Sequence, residues 1–309
     1  MQYVGIQKQI SKNNINSIFL LIAFPLILLA MVYLFLFFTK PQEPGYPSVN
    51  ETFVSTIPVI LIATGIWFLI AWLFHSSMIR MATGSRPLER KENKRVYNLV
   101  ENLCISQGMK IPKIFVIEDD SLNAFASGIN EKSYAISLSR GIINKLNDEE
   151  LEGVIAHELT HIGNRDVRLL IISVIFVGIF AFVAEMAFRS LHFTGRSRDG
   201  KSNAPIILLA IVITSIAYLI SILLRFGISR SREYLADAGA AELTRNPRAL
   251  ASALRKISDD PWIEAVQNRD VAQMFIDNPR PSVHGFSWDN LFSTHPPIEK
   301  RIGLLEQFT

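Results

Sequence analysis

The stretch His157-Glu158-Leu159-Thr160-His161 predicts more about this chain than any other part of its 309 residues. Residues four apart on an α-helix lie one above the other on the same face, so the imidazoles of His157 and His161 can bind one metal ion. Glu158 lies about 100° further round the helix, where its carboxylate can act on a metal-bound water. With only 6 histidines in the chain, two solvated surface histidines would rarely fall into this pattern. The stretch therefore predicts a hydrolytic metal site.

The residues around this stretch predict an amphipathic helix that packs on a soluble core. Asn147 can cap the helix, and the acidic residues 148–150 suit its first turn. Apolar side chains recur at helical spacing from Leu151 to Ile162. Because charged residues stand on both sides of the motif, we expect this helix to lie outside the lipid.

Four long apolar segments predict an integral membrane protein. The composition is 49% hydrophobic and 19% charged, and the apolar residues are concentrated in a few runs. A helix needs about 20 apolar residues to cross the hydrocarbon core. The candidate spans are residues 18–38, 54–74, 169–187 and 204–224. The first is not a removable signal peptide, because no small-residue cleavage site follows it.

The basic residues that flank the first two spans predict their orientation. Lys8 and Lys12 precede the first span, six basic residues lie within 80–95 after the second, and only Lys40 lies between the spans. Basic flanks stay on the cytoplasmic side, so we expect residues 78–167 to be cytoplasmic. The localisation that follows is the cell (inner) membrane, with several spans and a cytoplasmic catalytic domain.

The second apolar hairpin has a less decisive charge pattern. Its connecting loop carries Arg189, Arg196, Arg198 and Lys201 with only Asp199 opposing them, which is unusual for an external loop. The hairpin therefore either crosses the membrane completely or lies only partly within it, and the sequence leaves both possibilities open.

These features divide the chain into four parts. Residues 1–77 form an N-terminal transmembrane hairpin, and 78–168 the first part of the catalytic domain. Residues 169–226 form the second hydrophobic hairpin, and 227–309 the second part of the catalytic domain, with the third metal ligand.

Three short β-branched or aromatic runs predict a small sheet beside the metal-binding helix. They are residues 113–117, 122–127 and 134–138, separated by turn residues. An edge strand of this sheet could pair with an extended peptide. The chain offers no Gly-rich phosphate loop and no G-x-S-x-G motif, and we expect no nucleic-acid partner. Cys104 is the only cysteine, so no intramolecular disulfide is possible, and we expect it to be a core residue.

The metal site needs a third protein ligand from elsewhere in the chain. Catalytic zinc normally takes three protein ligands and one water. Asn164 and Val167 stand where a glycine and a third histidine would extend the motif, so that route is closed. Among the downstream carboxylates we favour Glu233, with Asp237 one helical turn later to hydrogen-bond a ligand histidine. Glu185, inside the third apolar segment, is the weaker candidate.

Together these residues resemble the HtpX-type membrane metalloproteases, relatives of the CAAX prenyl endopeptidases within the gluzincins. The motifs that carry the resemblance are Arg86-Pro87-Leu88, Asn123-Ala124-Phe125-Ala126, residues 157–162 with Asn164-Arg165-Asp166, residues 233–237, and Ser293-Thr294-His295-Pro296-Pro297. The resemblance implies an α+β membrane protein, mainly helical, with up to four transmembrane helices and a zincin-like catalytic domain that contains a small β-sheet.

The resemblance also implies a role for each matching residue. His157, His161 and Glu233 would bind one Zn²⁺ per chain, and Glu158 would be the general base. Asp237 would hold a ligand histidine.

A second group of matching residues concerns the substrate. Asn123 and Ala124 match the edge-strand motif that binds the substrate backbone in gluzincins. His295 and Arg301 match a pair that faces the scissile carbonyl, although Arg301 could equally lie on a solvated helix face.

The function implied is quality control of misfolded or damaged membrane proteins at the cytoplasmic face, with unfolded or membrane-protein substrates and the lipid bilayer as partners. Self-cleavage on solubilisation is plausible for such an enzyme. The alternatives are a processing protease dedicated to a prenylated or other specific substrate, and a zinc-dependent membrane scaffold that does not cut. The intact Glu158 argues against the scaffold, because a binding protein does not need that carboxylate.

Overall fold

A computed structural model shows a mainly helical chain with one small mixed sheet, and the predicted fold class is confirmed. The structure describes residues 6–39, 46–193, 208–216, 218–219, 230–260, 275–276 and 296–308. The helices are α1 (Ile6–Thr39), α2 (Val49–Thr83), α3 (Lys94–Gln107), α4 (Arg140–Lys145), α5 (Asp148–Gly163), α6 (Asp166–Phe193), α7 (Arg230–Thr244), α8 (Pro247–Asp259) and α9 (Ile298–Leu305). The strands are β1 (Arg86–Pro87), β2 (Lys113–Ile117), β3 (Ala124–Ser127) and β4 (Ala135–Ser139).

Three of the described helices are long and apolar enough to cross a membrane. The qualifying stretches are Ile10–Thr39 in α1, Val49–Thr83 in α2 and Asp166–Val183 in α6. Pro25 and Pro58 lie inside the first two helices, where membrane helices tolerate them. Residues 208–216 of the fourth predicted span are helical, and much of the rest of that span lies outside the described residues.

The sheet has the strand order β1-β2-β4-β3. β2 pairs with β4 in parallel, and both outer pairings are antiparallel. The predicted strand at 113–117 is confirmed with its bounds, and the two other strands begin two residues and one residue later than predicted. β3 therefore lies at one edge of this sheet.

The helix that carries the metal-binding motif begins as the sequence predicts. The side chain of Asn147 accepts the N–H of Glu150, and the Glu150 carboxylate accepts the N–H of Asn147 in return. The second carboxylate oxygen of Glu150 binds the hydroxyl of Ser252, and Lys256 completes the cluster. These bonds attach the start of α5 to α8.

The described residues divide into two compact units. One comprises Met1–Asn14, Phe74–Ile171 and Phe226–Thr309, and contains the sheet with α3, α5, α7, α8 and α9. Within it α5 lies against β3, α3, α7 and α8. The other comprises Ile15–Leu73 and Ile172–Arg225, where Phe24 stacks on Phe176 with ring centroids 4.6 Å apart.

A glycine allows α7 to approach α5 closely. A Cβ atom at Gly239 would lie 2.6 Å from the Thr160 methyl group, well inside van der Waals contact. Since α7 also carries Glu233 and Asp237, this close approach places both carboxylates beside the histidines of α5.

Candidate metal and catalytic site

The structure brings together the three side chains that the sequence suggests as metal ligands. The Nε2 atoms of His157 and His161 are 3.2 Å apart. The Glu233 carboxylate oxygens lie 3.7 Å from the first and 3.6 Å from the second. Two atoms bound to zinc at about 2.0–2.1 Å in tetrahedral geometry would be roughly 3.3 Å apart. The donor set and its spacing therefore fit a zinc ion.

Each histidine directs its second nitrogen to a carboxylate. His157 Nδ1 lies 3.0 Å from Asp237 Oδ1, and His161 Nδ1 lies 3.0 Å from Asp166 Oδ2. At His161, Nδ1–H donating to Asp166 fixes the tautomer in which Nε2 is available to a metal. At His157, the Asp237 carboxylate lies within ion-pair distance of Nδ1. Each imidazole therefore has a carboxylate beside the nitrogen that is not directed at the metal site.

Asp166 is the functional residue that the sequence reasoning missed. It lies five residues after His161, beyond the end of α5, where helical spacing no longer predicts a contact. The chain turns back there because Arg165 adopts a left-handed backbone with φ 62°. The sequence signal is its place in Asn164-Arg165-Asp166, which carries part of the family resemblance but is assigned no role by it.

Arg301 is buried against Asp237 and does not lie on a solvated helix face. It is 1% exposed. Its Nε and Nη2 atoms donate to the two oxygens of Asp237 at 2.9 and 2.8 Å, and Nη1 donates to the carbonyl of Ile276 at 3.0 Å. Nη1 also lies 3.7 Å from Glu233. The guanidinium thus braces both carboxylates that α7 supplies.

The ionisation of the His157–Asp237 pair follows from these contacts. Burial lowers the pKa of His157, but the neighbouring carboxylates of Asp237 and Glu233 outweigh it and raise that pKa to about 9. Burial raises the pKa of Asp237, but the guanidinium of Arg301 outweighs it, and that pKa falls to about 2. Without a metal, the charge of Asp237 therefore favours the protonated form of His157, and Arg301 favours the ionised form of Asp237.

Glu158 is buried next to the two histidines and in contact with the sheet. Burial raises the pKa of its carboxyl, and the positive field of His157 and His161 only partly offsets that effect. The nearby backbone of Ala126 in β3 also lowers this pKa, as a smaller contribution. A raised pKa suits a group that must accept a proton and return it near neutral pH.

The edge of the sheet beside Glu158 is already paired. The carbonyl of Ala124 accepts the N–H of Ile276 at 2.9 Å, and Phe125 bridges to Phe275 in antiparallel fashion with ring centroids 4.7 Å apart. Asn123, just before the strand, is fully buried. The sequence predicts that this edge pairs with the backbone of a substrate. In the structure, residues 275–276 of the chain itself pair with it.

The predicted oxyanion residue His295 lies outside the described residues. The residues from Pro296 to Phe308 are described, and Pro297 occupies the N-cap position of α9 without a side-chain hydrogen bond. Arg301, its predicted partner, lies on that helix and contacts Asp237 and Glu233.

Comparison with known proteins assigns the chain to a family. The sequence pattern of peptidase family M48 matches residues 90–309. The chain belongs to peptidase family M48. The protease HtpX homolog of Bacteroides fragilis strain YCH46 is 58% identical over 324 aligned positions, covering 100% of both chains. That of Lactobacillus helveticus is 36% identical over 85% of this chain and 89% of the relative.

A solved structure is also similar to this M48 chain. The crystal structure of S. mikatae Ste24p matches with 22% sequence identity and a TM-score of 0.46, over 96% of this chain and 66% of that one. The resemblance to HtpX-type proteases is confirmed by the curated relatives. This M48 member is a membrane metalloprotease whose cofactor is a metal, typically zinc in the family.

Proposed function

We propose that this M48 protease is a zinc-dependent endopeptidase whose ligands are His157, His161 and Glu233. The observation that carries the proposal is the convergence of the three donor atoms within 4.8 Å of one another. Each imidazole is backed by its own carboxylate, as is usual for histidines that bind zinc. One Zn²⁺ per chain fits this donor set.

The chain's own residues divide the work of hydrolysis. Zinc, when bound, supplies the Lewis acidity that polarises a carbonyl and lowers the pKa of water towards about 7. Glu158 takes the proton of the attacking water and returns it to the leaving amine, and such acid–base help contributes roughly 10²–10⁴-fold. Asp237 and Arg301 keep His157 in place. We assign His295 as the hydrogen-bond donor to the oxyanion.

We place the substrate in an extended conformation along β3. Main-chain hydrogen bonds to a sheet edge bind peptides with little dependence on sequence. Ile276 already uses the carbonyl of Ala124 in this way. A substrate that uses the same carbonyl has to displace the N–H of Ile276. It also has to expose Asn123, which is buried just before the strand and which we assign to the substrate backbone.

We further propose a role in the quality control of misfolded or damaged membrane proteins. Three apolar helices, an edge-strand mode of binding with little sequence preference, and relatives described as HtpX proteases support it. The apolar segments favour the division of the chain at 77, 168 and 226. Basic residues around the first hairpin favour a cytoplasmic site in the inner membrane. Protease protection of intact and inverted vesicles tests that orientation.

The experiment that tests the catalytic proposal uses three variants in detergent micelles. Glu158→Gln should retain one zinc per chain and lose at least a hundredfold of the activity on unfolded casein, because the proton acceptor is gone. Glu233→Ala should lose zinc. Glu149→Gln, at an exposed position on the same helix, is the matched control and should change neither.

The outcomes separate the candidate functions. Full activity of Glu158→Gln would refute the mechanism, and unchanged zinc content of Glu233→Ala would refute its ligand role. Chelator-sensitive cleavage of casein supports a general protease. A wild-type chain that binds zinc and leaves casein intact points to a dedicated processing enzyme or a scaffold.

A further inference from the structure

A buried asparagine near the start of α1 contacts the carboxylate that holds His161. Asn13 is only 2% exposed. Its Nδ2 amide donates to Asp166 Oδ1 at 2.7 Å and to the carbonyl of Asn164 at 2.8 Å. One amide group thus binds both a side chain and the backbone of the turn that follows the metal-binding helix.

The two oxygens of Asp166 have different partners. Oδ1 accepts from Asn13, and Oδ2 faces Nδ1 of His161 at 3.0 Å. A carboxylate fixed at both oxygens cannot rotate about its own bond, so the direction of Oδ2 depends on the bond at Oδ1. The backbone carbonyl of Asp166 is held separately, by Arg232 at 3.3 Å.

The neighbouring residue provides a different kind of contact. Asn14 accepts from Nη1 of Arg165 at 3.0 Å. This bond attaches α1 to the same turn, but it does not involve the carboxylate of Asp166. Asn13 therefore contacts the carboxylate itself, whereas Asn14 only attaches α1 to the turn. Replacing each in turn distinguishes the two effects.

We propose that Asn13 is a positioning residue of the metal site, which acts on His161 through Asp166. The proposal rests on the metal site described under the proposed function. A residue about 150 positions before the motif, at the start of the first apolar helix, then contributes to metal retention as well as to the fold.

The test measures zinc retention against a chelator in the full chain in detergent. Asp166→Ala should lower zinc affinity by about 10–100-fold, the usual effect of removing a partner of a ligand histidine. Asn13→Ala acts one bond further out, so we expect a smaller loss of about 3–10-fold. Asn14→Ala is the matched control and should stay within about twofold, because it leaves Asp166 bound.

Two further variants separate positioning from packing. Asn13→Asp keeps the size of the side chain but places a carboxylate against Asp166, so its loss should exceed that of Asn13→Ala. The Asn13→Ala/Asp166→Ala double variant should lose no more zinc than Asp166→Ala alone, since both act along one path. At saturating zinc we expect Asn13→Ala to lower kcat with KM unchanged.

Three results would each overturn the proposal. They are wild-type zinc retention in Asn13→Ala, equal retention in Asn13→Asp and Asn13→Ala, and losses that multiply in the double variant. Failure of the underlying site looks different, because Glu233→Ala would then keep its zinc. If Glu233→Ala loses zinc and Asn13→Ala does not, only the role of Asn13 falls.

Discussion

In each half of the metal site a carboxylate lies beside Nδ1 of a ligand histidine, but a different group holds that carboxylate. On the His157 side, comprising His157, Asp237 and Arg301, the carboxylate is paired with a guanidinium. On the His161 side, comprising His161, Asp166 and Asn13, the carboxylate is bound by a neutral amide. Both carboxylates lie 3.0 Å from their histidine and both are buried. The difference must come from their surroundings.

The position of each aspartate on its helix explains the difference. Asp166 lies in the first turn of α6, where unpaired backbone N–H groups and the helix dipole favour a negative charge. Asp237 lies in the middle of α7, where the backbone offers no such help. A buried carboxylate there needs a cation. The start of α6 thus stabilises the negative charge of Asp166, as Arg301 stabilises that of Asp237.

The strongest way to break this comparison is to remove the cation from the His157 side. Arg301→Ala leaves Asp237 as a buried carboxylate with half its partners gone, and breaking a buried pair in this way costs about 3–5 kcal/mol. We expect a loss of stability of that order together with loss of zinc. Thermal and denaturant unfolding in micelles measures the first, and metal analysis the second.

The matched control is an arginine in an exposed ion pair. Arg255 pairs with Glu306, and its side chain is 53% exposed. Because exposed pairs contribute about 0–1 kcal/mol, Arg255→Ala should change stability little and zinc content not at all. Equal effects of the two substitutions would mean that burial of Arg301 does not matter, and the comparison would fail.

A smaller effect should follow from moving α7 away from α5. Gly239→Ala places a methyl group against Thr160, whose nearest side-chain atom is 2.6 Å from the new carbon. Overpacking of this kind costs about 1–3 kcal/mol. Because α7 carries Glu233 and Asp237, zinc affinity should also fall, whereas Asp166 on α6 keeps its bond to His161.

The second-site variant Thr160→Ala tests whether the clash is the cause. It removes both the methyl and the hydroxyl that face Gly239, and the hydroxyl otherwise binds only the carbonyl of Ala156 among the contacts described. The Gly239→Ala/Thr160→Ala double variant should recover most of the lost stability. A double variant as unstable as Gly239→Ala would show that the approach of the two helices is not responsible.

The sequence predicts the parts of this site that depend on local spacing. His157, Glu158 and His161 lie on one helix, and Glu233 and Asp237 lie on another, so helical periodicity is enough to group each set. The capping box at Asn147 is a local pattern of the same kind, and the structure has it.

The supporting contacts on both sides could not be predicted in this way. Asn13 and Asp166 are separated by 153 residues, and Arg301 and Asp237 by 64. Nothing in the spacing of a single asparagine or arginine indicates which distant carboxylate it will meet. The resemblance to a family suggested Arg301 but not its contact with Asp237.

The sheet edge shows the same limit. A short run between turn residues predicts β3, and its place at the edge of the sheet makes it a candidate for peptide binding. Among the residues that the structure describes, Phe275 and Ile276 pair with that edge. Nothing in the sequence of these two residues indicates which strand they will contact.

The smallest effect we expect, counted for one unit of pH, is a dependence of zinc affinity on pH that originates on the His157 side. The pKa of His157 is raised to about 9 without metal, so zinc must displace a proton from this histidine. Below pH 9 each unit of acidification should therefore weaken binding up to about tenfold, or about 1.4 kcal/mol. In the metal-free protein the same shift stabilises the fold below pH 6.5, and that contribution is lost as the pH rises through 9. Zinc competition at pH 6 to 9 measures the slope. Asp237→Asn should flatten it in the upper part of that range, because the carboxylate that retains the proton is gone, and a slope unchanged in that variant would assign the proton to another group.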